Sequence, residues 1–265
     1  MIDFHNHVLP NVDDGSTSLD MSLAMLSTAA EQGITDVVNT VHFQHPKVEG
    51  EDISHNRISE KINQLQYECD KREIPIQLHS GAEVFYLPNL PSFSSDPLAT
   101  FGHGKYMLIE FQPHLIPDSH KQQLFELKMA GITPIIAHPE RYKPVQENVS
   151  LVAEWLEAGC IIQVDAGSVL GTLGSKAEAT SKMIINFGWC QIIGSDSHND
   201  RRRNFCLSNA KEELEKMDIK NVDELVKLNP KNVIDGEPIH VEINYDRLEK
   251  TESFFSRIKD RIGLS

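Results

Sequence analysis

Thr133-Pro134-Ile135-Ile136-Ala137-His138 is an apolar run with no polar face, and it ends on a histidine. Such a run fits a strand covered on both sides, as in a parallel sheet. It is one of seven. Residues 1–4 lead into His5-Asn6-His7, residues 34–40 into His42, and residues 76–84 carry Gly81-Ala82-Glu83. Residues 106–111 hold Glu110 inside the run. Residues 161–164 stop at Asp165, and residues 190–194 stop at Ser195-Asp196-Ser197-His198.

Helical patterns separate these runs. Leu19, Leu23, Leu26 and Ala30 recur at helical spacing after a cap at Thr17 or Ser18, and Gly33 stops that helix. Ile58, Ile62, Leu65 and Cys69 stripe a second helix over residues 54–72, and Pro75 breaks the chain after it. Further helices are expected over residues 119–130, 148–158, 175–187, 205–217 and 222–228. Residues 43–53 and 86–104 read as loops. Strands alternating with helices argue for βα units around a parallel sheet. A barrel brings all its strand C-termini to one mouth, whereas an open sheet spreads them along an edge. Polar candidates at most strand ends therefore favour a barrel.

His5 and His7 stand two apart on an extended segment, so both side chains leave on the same side. Alone, an H-x-H pair is commonly incidental. Here His42, His138 and His198 join it, with the carboxylates Asp14, Glu83, Glu110 and Asp196, each at or just after a strand-like run or its loop. Metal ions take such donors from the ends of several strands. Five imidazoles and four carboxylates exceed one tetrahedral site. They suit two or three cations, with a carboxylate such as Glu83 bridging. Glu83 and Glu110 within apolar strands are costly without a cation. Asp14 is preferred as a ligand to Asp13, which reads as a turn residue or a support behind the ligands. The mixed donors admit manganese, iron, zinc or magnesium. Cations about 3.5–4 Å apart clamp a phosphoryl group and generate hydroxide near neutral pH.

The 265 residues, 40% of them hydrophobic, suit one large α/β domain or two small ones. A net charge of −14 argues against a general nucleic-acid or anionic-membrane binder and serves solubility. Metal cations and a few arginines still allow a phosphorylated substrate locally. Cys69, Cys160, Cys190 and Cys206 are spread out with no C-x-x-C, as in the reduced thiols of a cytoplasmic protein. No signal peptide and no transmembrane run is expected.

His5-Asn6-His7, Asp13-Asp14-Gly15, Thr40-Val41-His42, Gly81-Ala82-Glu83, Ile109-Glu110-Phe111, Ala137-His138-Pro139-Glu140-Arg141 and Ser195-Asp196-Ser197-His198-Asn199 occur in this order. Together they resemble the polymerase-and-histidinol-phosphatase (PHP) superfamily over roughly residues 1–235. Within it they are most similar to the manganese-dependent bacterial tyrosine phosphatases of capsule and exopolysaccharide operons. The resemblance implies a distorted (β/α)7, TIM-like barrel over residues 1–240 and three divalent cations per chain, manganese first. His5, His7, Glu83 and Asp196 would hold one cation; Glu83, Glu110 and His138 a second; Asp14, His42 and His198 a third. Arg141 and Arg203 would bind phosphate, Arg203 being chosen over Arg201 and Arg202 by spacing. His42 is counted among the catalytic groups as well. Val41 stands where such proteins commonly have proline, which changes the stiffness of the chain before His42.

The chemistry so implied is in-line attack on phosphorus by a metal-bound hydroxide, with tyrosinate leaving. At a pKa of about 10, tyrosinate needs little help from an acid. No cysteine nucleophile is expected, because Pro75, Ala166, Asp196 and Glu212 occupy the +6 positions where a C-x5-R motif needs arginine. The implied partner is a phosphotyrosine-bearing protein, the cognate tyrosine autokinase of polysaccharide export. A small-molecule phosphatase, such as histidinol phosphatase, and a non-catalytic PHP binding module are the alternatives. His45, His55, His79, His103, His114, His120 and His240 are expected on the surface or in loops, His45 being placed to reach substrate. Asp165 is expected as a support or in solvent. Residues 241–265 form a separate tail in which Leu248, Phe255, Ile258 and Ile262 stripe one helical face. It would pack on the barrel or on a neighbouring subunit, where it would support oligomerisation.

Overall fold

A computed structural model describes residues 1–241, so the expected C-terminal helix lies outside the described residues. Seven strands pair in sequence order, every pair parallel: β1 (Ile2–Asn6), β2 (Asp36–Phe43), β3 (Gln77–Phe85), β4 (Tyr106–Glu110), β5 (Thr133–Ala137), β6 (Ile161–Asp165) and β7 (Ile192–Gly194). A parallel bridge between Asn6 and Ser197 brings the last strand back to the first. The His7 amide donates to the Ser197 carbonyl at 2.8 Å, and the Asp196 amide to the His5 carbonyl at 2.7 Å. The sheet is thus a nearly closed (β/α)7 barrel. Gly194 is required at this seam, because a Cβ there would stand 2.7 Å from the His5 Cβ.

The helices are α1 (Leu19–Glu31), α2 (His55–Lys71), α3 (His120–Met129), α4 (Lys143–Glu147), α5 (Ser150–Glu157), α6 (Ala166–Val169), α7 (Ser175–Asn186), α8 (Leu207–Lys216) and α9 (Asn229–Asp235), with a π-helical turn at Glu224–Leu228. Alternate strand residues face opposite ways. Met107, Ile109, Ile136, Ile162 and Ile193 pack with Leu26, Ile58, Leu65, Leu124 and Trp155 between sheet and helices. Leu108, Ile135, Ala137, Ile161 and Ile192 line the inner face with Phe4, Val38 and Val233. Burying side chains of this size stabilises the fold by about 1.5–3 kcal/mol each.

The α2 stripe matches its expected residues, all four of which are buried. In α1 the expected stripe is rotated. Leu19 is exposed, and the buried face is Ser22, Leu23, Met25, Leu26 and Ala29. Ser22 goes inside because its hydroxyl donates to the Val8 carbonyl at 2.6 Å, so a polar residue is satisfied there. The Ser18 side chain caps α1 by accepting the Met21 amide. β7 begins at Ile192, two residues later than expected, and the helix expected at 222–228 is the π-helical turn that runs on into α9. His120, expected on the surface, is buried. Its Nδ1 donates to the Pro117 carbonyl at 2.7 Å, and its ring stands edge-on to Phe111 and Trp155.

Candidate metal centre

The strand C-termini deliver the side chains. β1 ends in His5, Asn6 and His7, with a register shift between Asp3 and Asn6 that re-aims the strand end. β2 ends near His42, β3 near Glu83, and β4 on Glu110. His138 follows β5 in a left-handed conformation (φ 32°), and Asp196 follows β7 in another (φ 47°). Left-handed non-glycine residues are uncommon and cluster at functional sites.

Glu83 is the hub, and it is buried. Its Oε1 lies 2.8 Å from His138 Nε2 and 3.3 Å from His5 Nε2; its Oε2 lies 3.1 Å from His42 Nδ1 and 3.5 Å from His7 Nε2. Asp196 Oδ1 stands 3.4 Å from His5 Nε2 and 3.3 Å from His7 Nε2. Asp14 Oδ1 lies 3.1 Å from His42 Nε2 and 3.5 Å from His198 Nε2. Glu110 Oε1 lies 3.7 Å from His138 Nε2. All nine expected donors therefore meet at one end of the barrel.

Three of the histidines are oriented by their far nitrogens. His5 Nδ1 lies 2.9 Å from Gln163 Oε1, His7 Nδ1 2.7 Å from Asp13 Oδ2, and His198 Nδ1 2.8 Å from the Asp196 carbonyl. Each of these oxygens accepts, so each Nδ1 carries the proton and each Nε2 turns to the centre. There the Nε2 atoms of His5, His7 and His198 are buried without a hydrogen-bond partner. Buried orphaned imidazole nitrogens facing carboxylates are what a divalent cation would satisfy. Among the described residues four groups have ligand atoms within 4.8 Å of one another: His7, Asp14, His42 and His198; His5, His7 and Asp196; His5, Glu83 and His138; His42, His45 and Glu110. The donor set fits a polynuclear centre. Asp13 stands behind His7, whereas Asp14 faces His42 and His198.

Without cations the carboxylates and imidazoles titrate one another. Burial alone would lower His5, but Glu83 and Asp196 outweigh it and raise its pKa to about 9. His7 is likewise raised: burial works against its charge, while Asp13 favours it. Glu110 rises to about 7, through burial and then the Glu83 charge. His45 falls to about 4, through burial and then its neighbour His42.

The arginines converge on Asp196. Arg141 Nη1 pairs with Asp196 Oδ2 and lies 3.4 Å from Asp165 Oδ2; Arg203 Nη2 is 2.6 Å from Asp196 Oδ2. Both arginine side chains remain about a third exposed. Of the arginine triplet, Arg203 reaches the centre; Arg201 and Arg202 are exposed. Asp165 is fully buried, paired with Arg141, and caps α6 by accepting the Gly167 amide at 2.7 Å. It is a support, not a solvent group.

Several participants had no role expected of them from the sequence. Lys47 donates to Asp14 Oδ2 at 2.7 Å and reaches His42 Nε2 at 3.1 Å. Gln163 orients His5, and Glu140 accepts the Asp165 amide at 3.1 Å from a buried position that raises its pKa to about 8. Period-two alternation places Gln163 on the inner face, and that was the one signal available for it.

Gly15 lets the Asp13–Asp14 loop pass beneath His7. A Cβ at residue 15 would stand 2.1 Å from the His7 carbonyl oxygen and 2.4 Å from its Cβ. Gly15→Ala must displace backbone, so it is expected to cost about 1–3 kcal/mol in denaturant unfolding, as overpacking does. A stability equal to that of the parent protein would show that the loop yields freely.

A parallel barrel with clustered imidazoles and carboxylates at its mouth, flanked by arginines, has the donor set of a metal-dependent hydrolase. The chain belongs to the CpsB/CapC family of capsular polysaccharide synthesis, whose profile matches residues 1–235. It is 32% identical over 208 residues to the putative tyrosine-protein phosphatase CapC of Staphylococcus aureus, covering 78% of this chain and 80% of that one. It is 32% identical over 217 residues to the tyrosine-protein phosphatase YwqE of Bacillus subtilis, covering 82% and 84%. A structure described among those of YwqE from Bacillus subtilis and CpsB from Streptococcus pneumoniae, unique metal-dependent tyrosine phosphatases, superposes with a TM-score of 0.85 at 29% identity, covering 91% of this chain and 97% of that one. A histidinol phosphate phosphatase from Lactococcus lactis, at a TM-score of 0.53 and 17% identity over 85% of this chain and 94% of its own, shares the fold alone.

Proposed function

We propose that this chain is a metal-dependent tyrosine-protein phosphatase acting on the phosphotyrosine of a tyrosine autokinase that controls capsular or exopolysaccharide export. What carries the reading is the meeting of the orphaned Nε2 atoms, the Glu83 hub and two arginines at one barrel mouth, in a chain of this family. The cation assignments are those the family resemblance implies: His5, His7, Glu83 and Asp196; Glu83, Glu110 and His138; Asp14, His42 and His198. Manganese is the favoured metal, with iron, zinc and magnesium as competitors. Bound there, the cations would supply an activated water and charge neutralisation for the phosphoryl group.

The chain's own residues do the rest. Arg141 and Arg203 donate to phosphoryl oxygens and neutralise charge that grows toward the transition state. Asp196 pre-orients both guanidinium groups. Tyrosinate leaves with little need of an acid. The thiols take no part. Burial holds Cys69 up to about 11 and Cys160 up to about 12, and raises Cys190 and Cys206 further. Among the described residues no helix is long and apolar enough to cross a membrane.

The test is phosphate release by the manganese-loaded protein from a phosphotyrosyl peptide, beside histidinol phosphate. Faster release from the peptide, abolished by chelation, is expected. Release from histidinol phosphate alone would overturn the substrate and keep the site.

Loading should also expel protons. His5 holds its proton up to about pH 9 in the chelated protein, so cation binding at pH 7 displaces on the order of one proton or more. Calorimetry in buffers of different ionisation enthalpy reads that number. Because this pKa is raised above its unfolded value, the imidazolium stabilises the chelated protein fully below about pH 6.5. That contribution fades as pH rises through about 9. Chelated protein should therefore melt earlier at pH 9 than at pH 6.

Lys47 donates to the His42 lone pair that a cation would use, so the two exclude each other. A hydrogen bond from this half-exposed ammonium is worth about 1 kcal/mol. Lys47→Met is expected to tighten the manganese equivalent at His42 about fivefold in a calorimetric titration, by that same energy.

A further inference from the structure

His45 is wired in the opposite sense to the histidines of the centre. Its Nδ1 accepts the Lys47 amide at 2.9 Å, so the neutral ring carries its proton on Nε2. His5, His7 and His198 are the reverse, each donating through Nδ1 and leaving Nε2 free for a cation. A left-handed Gln44 (φ 58°) precedes His45. The ring is held between two others, stacked on His42 at 4.4 Å and edge-on to Phe85 at 4.6 Å. From there Nε2 faces Glu110 Oε2 at 3.5 Å, and that oxygen is buried with no hydrogen-bond partner. Glu110 Oε1 is the atom turned to His138.

We infer that His45 is a positioning residue: its Nε2–H engages the outer oxygen of Glu110 and aims the inner one at the cation shared with Glu83 and His138. Proximity alone would place His45 with His42 and Glu110 as a further ligand set, but the proton on Nε2 removes the lone pair that ligation needs. Polar contacts around a catalytic centre are often long before it is loaded, and 3.5 Å is within reach of a small ring tilt. Partners of this kind typically change metal affinity 10–100-fold. The inference rests on the metal-centre reading above.

Two variants of the full chain separate the cases, each titrated with manganese alone by calorimetry and checked for total bound metal. His45→Phe keeps a ring to stack on His42 and has no donor. His45→Gln keeps an N–H donor. The expected result is one manganese equivalent weakened about 10–100-fold in His45→Phe, with the stoichiometry kept and most of the affinity restored in His45→Gln. Unchanged binding in His45→Phe would overturn the inference. So would loss of a whole equivalent in both variants, which would make His45 a ligand after all. A parent protein that binds no manganese would overturn the metal-centre reading itself, a result distinct from either. Thermal melting of the chelated variants confirms that both are folded before the titrations are compared.

Discussion

Glu83→Gln is expected to lower phosphate release from a phosphotyrosyl peptide by more than about 10²-fold, because losing a mere support for a ligand already costs 10–100-fold. Four imidazoles meet the two oxygens of this one carboxylate, at 2.8–3.5 Å. Glutamine has nearly the same shape, so packing in β3 is preserved. It offers one acceptor and no charge, so it cannot serve two cations at once. The cost extends to the chelated protein, where the Glu83 charge, with that of Asp196, holds a proton on His5 against the pull of burial. The measurement is turnover and bound manganese side by side. Loss of both with an unchanged circular dichroism spectrum is expected; full turnover at the parent's metal content would remove Glu83 from the centre.

Arg141→Met should lower kcat/KM about 10²–10³-fold, the scale of one lost donor to a developing oxyanion. The substitution also strips a cation from between Asp196 and the buried Asp165. Removing one partner of a fully buried pair costs about 3–5 kcal/mol. Arg141 is 30% exposed and Arg203 still pairs with Asp196, so about 1–3 kcal/mol is expected here. The two effects are separable. Turnover at saturating substrate reports on the phosphate contact, and urea unfolding of the chelated protein reports on the ion pair. Retained kcat/KM would show that Arg203 alone suffices for phosphate.

The sequence made the barrel legible where chemistry repeats. The β5 run, with its apolar residues on both faces, has the bounds expected of it, and the α2 stripe is buried throughout. The centre was legible because strand ends carry the donors, so motif order and strand order coincide. What escaped notice did so for physical reasons. Ser22 and His120 are polar by type but buried, each satisfied by a backbone carbonyl that hydropathy cannot see. The short α6 has too few residues for periodicity to reveal it. Lys47 reaches the centre from a loop whose path depends on one left-handed residue, Gln44, and no spacing rule encodes that. Gln163 orients the His5 ring and Glu140 accepts the Asp165 amide, so each acts behind the donors, where residue type alone points to no role.

The bridge between Asn6 and Ser197 joins two parts of the chain that emerge from the ribosome far apart in time. His5 and His7 are made about 190 residues before Asp196, His198 and Arg203. Until that last segment arrives, β1 and β6 are open edges of a growing sheet, the exposure that invites mispairing. Closing the ring and assembling the full donor set are then a single event, late in synthesis. A chain that stalls before residue 196 would be left with bare edges and an incomplete donor set, a substrate for quality control rather than a partly active enzyme.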